Sequence, residues 1–135
     1  MQVVIDANIV IAALLSPDNV TNNLLFSPGI ECVSPEFIET ELDKHFSEIA
    51  KRSTAPEKEM KAALELIFSQ IQILPFSEYA SWAQKAKGIS PDPKDVEYFA
   101  VALAVGCPIW SNDKRLKAQS VVVVLSTPDI LKKFS

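Results

Sequence analysis

Apolar and polar residues follow one another along this chain in blocks of two kinds. Short apolar runs predict strands at 3–5, 30–33, 72–75, 109–111 and 121–125. Longer segments, in which apolar residues recur every three or four positions, predict helices at 9–15, 21–26, 35–51, 56–71, 78–87, 93–104 and 130–134, with a short helix at 114–118. Regular alternation of strands and helices is typical of an α/β protein with a parallel sheet covered on both faces.

The helix that begins at Asp92 has the clearest sequence signals. Asp92 is a suitable N-cap, Pro93 suits the first helical position, and Asp95 falls in the first turn, where the helix dipole favours an anion. Gly106 and then Pro108 end the helix. The strand at 109–111 follows, and its carboxyl end leads directly into Asn112 and Asp113.

Weaker signals predict finer details of other elements. Asn8 is expected to cap the first helix and Ser34 the helix at 35–51, while the polar residues 16–19 break the apolar pattern. Ser77 is expected to cap the helix at 78–87, which would end at Gly88 and bury Tyr79, Trp82 and Ala86. The run at 121–125 is the most continuous apolar stretch, which predicts a strand buried on both faces.

Strand order decides which polar residues meet at the carboxyl edge of the sheet. Right-handed crossovers restrict how the strands can be wound. The order 3-2-1-4-5 makes the first and fourth strands neighbours, so that Asp6 and Asp113 come together. We therefore expect a three-layer α/β/α fold with a five-stranded parallel sheet in this order.

Composition is that of an ordinary soluble globular domain. The chain has 135 residues, 48% hydrophobic and 22% charged, which predicts a single domain over 1–135 and no membrane span. The N-terminus lacks a basic leader, so we expect no signal peptide and a cytoplasmic protein. Cys32 and Cys107 lie in apolar stretches without metal-ligand spacing, which indicates buried thiols in a reducing compartment rather than a zinc site.

The net charge of −4 argues against a protein that coats nucleic acid through bulk positive charge. A small nucleic-acid enzyme is still compatible with it, because such an enzyme can gather its acids around metal ions. A sum over the whole chain does not detect such clusters.

Four carboxylates fall just after a strand or near a helix start: Asp6, Glu41, Asp95 and Asp113. Three of them also have a simpler structural explanation. Asp95 could only stabilise a helix dipole, Asp113 could only open a turn, and Glu41 could be a solvated helix acid, just as Asp92 could only be a cap. The case for chemistry therefore depends on the four acids occurring together at one edge of the sheet.

Clustered carboxylates repel one another unless protons or cations neutralise them. Oxygen ligands favour Mg²⁺ or Mn²⁺ over zinc, and no histidine or cysteine completes a softer ligand set. A metal ion held by acids, with open coordination positions, is suited to hydrolysis of phosphodiester bonds by an activated water.

Three segments together resemble the PIN domain family of small metal-dependent ribonucleases, which includes many toxins of toxin–antitoxin pairs. They are VVIDANIVIAALL, SPEFIETELDKH and DPKDVEYFAVALAVGCPIWSNDKRL, in the family's order and over essentially the whole chain. The resemblance implies that Asp6, Glu41, Asp95 and Asp113 are the acidic residues around one or two Mg²⁺ or Mn²⁺ ions. It further implies that Asn8 and Ser111 are supporting polar residues, and it leaves Asp92 as either a cap or an extra acid.

The resulting hypothesis is an endoribonuclease that prefers single-stranded RNA, with Asp6 and Asp95 as the principal metal ligands. Glu41 and Asp113 would orient the metal or the attacking water. Basic residues beside the acids could meet RNA phosphates or simply be solvated: Lys44, His45, Lys114 and Arg115.

Two other functions compete with this hypothesis. A phosphatase of the haloacid dehalogenase type needs a DxD motif after its first strand, and here the second position of that motif is Asn8. A non-catalytic PIN module would serve as a partner- or RNA-binding scaffold. The resemblance also suggests an antitoxin partner and a homodimer, for which Leu14, Leu15, Leu24 and Phe26 could supply an apolar surface or could simply face the core.

Overall fold

The computed structural model describes residues 1–15 and 19–134 and contains a parallel sheet with helices between its strands. The strands are β1 (Gln2–Ile5), β2 (Glu31–Pro35), β3 (Ile71–Leu74), β4 (Ile109–Trp110) and β5 (Val124–Leu125). The α-helices are α1 (Ala7–Leu15), α2 (Val20–Leu25), α3 (Phe37–Arg52), α4 (Glu57–Phe68), α5 (Phe76–Tyr79), α6 (Ala83–Ile89), α7 (Val96–Val105) and α8 (Thr127–Lys133). Short 3-10 helices occur at Ala80–Trp82, Pro93–Asp95 and Lys114–Ala118.

The sheet has the order β3-β2-β1-β4-β5 with every neighbouring pair parallel, which confirms the predicted topology. Its centre is fully buried: Val3, Val4 and Ile5 are each 0% exposed. Since successive strand residues point to opposite faces, both faces of β1 must be covered.

Helix α7 is the most buried helix segment beside the sheet. Five consecutive residues from Tyr98 to Ala102 are buried, and the helix contacts β1, β2, α5 and α6. A helix buried on all sides has no free polar face. Because Asp95 directly precedes this helix, its position is tied to the centre of the fold.

Several predicted helix caps are wrong. Asp6, not Asn8, accepts the hydrogen bond from the Ile9 backbone N–H at 3.1 Å, because α1 already begins at Ala7. Ser34 lies inside β2, where its hydroxyl donates to the Ile5 carbonyl at 2.9 Å. The apolar pattern did not distinguish a strand that continues to Pro35 from a helix that begins there.

The sequence also predicted a break in the apolar pattern at 16–19, and residues 16–18 of that break lie outside the residues that the structure describes.

The helix predicted at 78–87 is also more irregular than its pattern indicated. It begins at Phe76, so Ser77 is a helical residue rather than a cap, and a 3-10 segment interrupts it. Gly88 does not end it, because α6 continues to Ile89. Tyr79 and Ala86 are buried as predicted, but Trp82 is 37% exposed.

The prediction of a fully buried strand at 121–125 is wrong for its first three residues. The strand contains only Val124 and Leu125, while Val121 and Val123 are 52% and 63% exposed. The strand is short because Gln119 binds the backbone N–H groups of Val121 and Val122 through its side-chain oxygen and thereby holds them in a turn. Hydrophobicity alone does not reveal this competing hydrogen bond.

The four apolar residues that could have formed a dimer surface lie in the core or against it. Leu14 and Leu24, suggested for a dimer surface, are buried in the core, and Leu15 and Phe26 pack partly against it.

Among the residues that the structure describes, no helix has both the length and the apolar character needed to cross a lipid bilayer.

Candidate functional site

Strand register places Asp6 and Ser111 side by side. Ile5 pairs with Trp110 across β1 and β4, so the next residue of each chain segment leaves the sheet at the same point. The Ser111 hydroxyl donates to Asp6 Oδ2 at 2.6 Å, and the Ile9 backbone N–H donates to Asp6 Oδ1 at 3.1 Å. These two contacts fix the Asp6 carboxylate at the carboxyl edge of the sheet, where open α/β sheets bind ligands.

Asp6 is a buried acid, only 4% exposed. Burial raises its pKa to about 6, and the negative charges of Glu41 and Asp113 contribute in the same direction. The hydrogen bonds from Ser111 and Ile9 act against this increase. Folding thus holds the Asp6 carboxylate at a place where no cation of the described residues pairs with it.

Asp95 lies at the start of α7 but does not cap it. Its side chain makes no capping hydrogen bond, and no ion pair to it occurs in the described ranges 1–15 and 19–134. Burial raises its pKa to about 6, with further increases from four neighbouring acids: Asp6, Asp92, Asp113 and Glu41. The negative charges of all four acids therefore act on Asp95. Asp92 is one of them, although it also caps the preceding 3-10 helix.

Glu41 reaches the same region from α3. Its Oε1 accepts a hydrogen bond from the Tyr98 hydroxyl at 3.0 Å, and Tyr98 follows Asp95 by one helical turn. Burial is the main cause that raises the pKa of Glu41, whereas the Tyr98 hydrogen bond lowers it. Sequence reasoning missed Tyr98, although its spacing of three residues from Asp95 is a signal that it faces the same side of the helix.

Asp113 differs from the other acids because a cation already contacts it. The Arg115 guanidinium donates to Asp113 Oδ1 at 3.1 Å and to Asp113 Oδ2 at 2.8 Å, and these bonds lower the pKa of Asp113. Arg115 also lies 3.8 Å from Asp92. From the sequence, Arg115 could meet RNA phosphates or be solvated, and in this structure it pairs with two of the acids.

The chemistry of these residues fits a hard divalent cation. The available donors are carboxylate and hydroxyl oxygens, and the mutual repulsion of the acids is the interaction that a divalent ion would offset. Within the described residues, however, no three acidic, histidine or cysteine side chains are already gathered into a metal-binding arrangement. The acids share one electrostatic environment without forming a closed coordination shell.

The other predicted site residues have different surroundings. Asn8 is exposed in the first turn of α1, and no hydrogen bond joins its side chain to an acid in the described residues. Lys44 and His45 are exposed on α3, and both lower the pKa of Glu41 through their charge. His45 also lies 3.9 Å from Glu48. Lys114 is exposed directly after Asp113.

Comparison with protein families gives one extended match. The family model described as PIN domain matches residues 4–130, which spans β1 through α8. No curated protein sequence matches this chain.

Solved structures with the same fold include two VapBC complexes. VapBC2 from Rickettsia felis, bound to a DNA fragment from their promoter, is 17% identical with a TM-score of 0.68 over 93% of this chain and 98% of that one. VapBC-1 from nontypeable Haemophilus influenzae is 16% identical with a TM-score of 0.59 over 95% and 99%. PAE2754 from Pyrobaculum aerophilum is 15% identical with a TM-score of 0.67 over 98% and 88%. At these identities the likeness establishes the fold alone.

Proposed function

The chain belongs to the PIN domain family, and from this membership and its grouped acids we propose that it is an endoribonuclease that requires Mg²⁺ or Mn²⁺. The substrate is RNA, and the reaction is hydrolysis of a phosphodiester bond by a water molecule. The residues proposed to hold the metal are Asp6, Glu41, Asp95 and Asp113, and Ser111 supports Asp6.

The observation that carries this proposal is the environment of Asp95. Its carboxylate is half-buried, makes no cap, and is repelled by four other acids, including the buried Asp6. A purely structural acid at a helix start would normally bind the backbone N–H groups there. The Asp95 carboxylate instead lies among like charges, which costs free energy that a bound cation would offset.

Each residue of the site has a distinct task in this proposal. Ser111 and the Ile9 N–H hold the Asp6 carboxylate in one orientation, and Tyr98 holds Glu41. When bound, the divalent ion would neutralise phosphate charge and lower the pKa of water. Arg115 neutralises Asp113 in this structure, and we propose that a divalent ion takes its place at Asp113, so that Arg115 can turn to the RNA backbone.

The direct test is incubation of the purified protein with labelled single-stranded RNA in the presence of Mn²⁺, Mg²⁺ or EDTA. We expect cleavage with either metal ion and none with EDTA. Asp6→Asn and Asp95→Asn should each reduce the cleavage rate at least about 100-fold, because each removes a charge that holds the ion while it preserves side-chain shape. Glu59→Gln, on the exposed surface of α4, is the matched control and should retain full activity.

Two results would contradict the proposal. Activity that survives Asp6→Asn would indicate a contaminating nuclease. RNA that is bound but not cut with either metal would identify the alternative, a non-catalytic PIN module that acts as a scaffold, which the Arg115 to Asp113 pairing favours.

We further propose that this nuclease is the toxin of a toxin–antitoxin pair that acts in the cytoplasm. The resemblance in fold to two VapBC complexes supports an antitoxin partner, and family membership supports a homodimer. Co-expression with the product of the adjacent reading frame should yield a stable complex in which RNA cleavage is inhibited. Light scattering of the purified chain should give twice the monomer mass of 14.9 kDa.

A further inference from the structure

A pocket lies directly beside the acids, at the carboxyl ends of β4 and β5. Its volume is about 420 Å³, and Ser111 and Asp113 form the wall that it shares with the acidic group. The other walls include Thr21 from α2, Lys114 and Lys117 from the 3-10 helix, and Asn112 and Thr127. Because Trp110 pairs with Leu125, the residues that follow β4 and β5 leave the sheet side by side and form the floor of this pocket.

Hydrogen bonding inside the protein leaves donors available on the walls of this pocket. Asn112 Oδ1 accepts from the Thr127 backbone N–H at 2.7 Å, so the acceptor of this amide is used and its NH₂ group remains. Thr127 Oγ1 accepts from Trp110 Nε1 at 3.0 Å, which leaves the hydroxyl proton to donate elsewhere. These two side chains are thereby oriented to offer hydrogens rather than lone pairs.

Thr21 supplies an independent observation. It lines the pocket, and within the described ranges 1–15 and 19–134 no hydrogen bond involves its side-chain hydroxyl. Since no buried side-chain oxygen or nitrogen of the described residues lacks a partner, the Thr21 hydroxyl is open to the pocket, although the residue as a whole is only 6% exposed. The hydroxyl can therefore donate to a bound molecule that carries a hydrogen-bond acceptor.

The charge of the pocket is positive despite the net negative charge of the chain. Asp113 is paired with Arg115, and Asp129, just outside the pocket, is paired with Lys117 at 2.8 Å. Lys114 has no ion pair within the described residues. An excess of N–H and O–H donors around an uncompensated ammonium is the chemistry that binds an anion, and phosphate in particular.

We propose that this pocket binds a phosphate group of the RNA strand next to the phosphate that is cut. Lys114 supplies the charge, while Thr21, Asn112 and Thr127 donate hydrogen bonds to the phosphate oxygens. This inference rests on the proposed ribonuclease function for the identity of the strand. It assigns the substrate a direction across the site, from the acids towards the end of β5.

The experiment measures binding without cleavage, so that the pocket is tested separately from catalysis. Fluorescence anisotropy in EDTA gives the Kd of a labelled single-stranded oligoribonucleotide over a series of salt concentrations. Lys114→Met should weaken binding about five- to tenfold and reduce the slope of log Kd against log salt concentration by about 0.7, the value for one phosphate contact on a single strand. Lys58→Met on the exposed face of α4 is the matched lysine control and should change neither quantity.

Thr21→Val tests the uncharged part of the pocket. Valine has the same shape as threonine, and none of the described residues hydrogen-bonds to the lost hydroxyl, so the thermal midpoint should not fall. RNA binding should weaken about two- to fivefold with no change in the salt slope. A strand with neutral methylphosphonate linkages should bind the wild type and Lys114→Met equally, which assigns the contact to phosphate rather than to bases or to free nucleotides.

The outcomes separate this proposal from the proposed function. If wild-type protein cuts RNA with Mn²⁺ but Lys114→Met and Thr21→Val bind RNA as the wild type does, the phosphate pocket is refuted and the nuclease stands. If both variants weaken binding as expected but no metal ion supports cleavage, the pocket is supported and the nuclease assignment fails. A lower thermal midpoint for Thr21→Val would show that its hydroxyl has a structural role and would overturn its part in the pocket.

Discussion

Asp6 shows at the scale of one residue how a functional requirement opposes stability. Its side chain is fixed by Ser111 and Ile9, but its charge is buried beside other negative charges. In the absence of a cation, the folded state therefore holds the Asp6 proton more strongly than the unfolded chain does. The cost of ionising this group should be measurable in the stability of the protein.

The pH dependence of stability follows from the two pKa values. The ordinary value for Asp6 is 3.8 and the folded value is about 6, so between these values the folded state binds more protons than the unfolded state. The contribution of Asp6 to stability must then fall as pH rises through this window and level off above it. We predict that Asp6→Asn in EDTA is more stable than the wild type at pH 7 by roughly 1–3 kcal/mol, with the difference vanishing near pH 4.

Chemical denaturation at several pH values measures this difference. Asparagine can still accept from the Ile9 N–H, but it no longer offers Ser111 a charged acceptor, which limits the gain. Asp43→Asn, an exposed acid on α3, is the control and should show no such pH-dependent difference. A variant less stable than wild type at pH 7 and above would mean that ionised Asp6 is already neutralised within the protein.

The sequence predicted some site residues better than others, for a physical reason. Asp6 and Asp113 follow short apolar runs, and the topology forces the ends of those strands together. Arg115 pairs with its sequence neighbour Asp113 and also with Asp92, which only folding brings close. Folding likewise brings Thr21 to the pocket formed by the residues after β4 and β5. Periodicity reports which face of an element is buried, and it does not report which polar partner a side chain finds there.

At the scale of elements, the end of α7 was predicted correctly and the end of α6 was not. Both contain a glycine at the place where a helix was expected to stop. Gly106 has a φ of +77°, the left-handed conformation that favours glycine after a helix, whereas Gly88 remains within α6. A glycine by itself does not distinguish the two cases. The residues after it determine whether the backbone reverses. At Gly106, Pro108 follows two residues later and cannot continue the helix.

This difference between two glycines gives a paired prediction. Apart from the adjacent backbone, no atom of the described residues lies within 4 Å of a Cβ added at either position, so the effect of alanine should reflect backbone conformation. Gly106→Ala should destabilise the protein by about 1 kcal/mol, because alanine is strained at positive φ. Gly88→Ala should be neutral or stabilise it by up to about 1 kcal/mol, because alanine favours the helix.

Urea denaturation of the two variants beside the wild type measures both effects. Each variant is the control for the other, since both add one methyl group in open space. Equal effects of the two substitutions would contradict the assigned difference in backbone conformation.

At the scale of the whole molecule, the strand order was predictable because few topologies satisfy right-handed crossovers and bring the first and fourth strands together. Family membership and the observed order agree with that expectation. The gathering of acids is a consequence of this topology, since Asp6 and Asp113 follow neighbouring strands and α7 begins beside them. The topology does not determine the net charge of the site, which depends on Arg115 and on bound ions.

The charge balance predicts that a divalent cation stabilises the entire fold. An ion that binds only the folded state adds RT ln(1 + [ion]/Kd), or about 2.7 kcal/mol when the ion is present at 100 times its Kd. For a chain of this length we therefore predict that saturating Mn²⁺ at pH 7 raises the thermal midpoint by roughly 5–10 °C relative to EDTA. At pH 5 the increase should be much smaller, because Asp6 and Asp95, with pKa values of about 6, are then mostly protonated and protons compete with the ion. Asp6→Asn should show little response at either pH, and a response equal to that of the wild type would place the bound ion away from these acids.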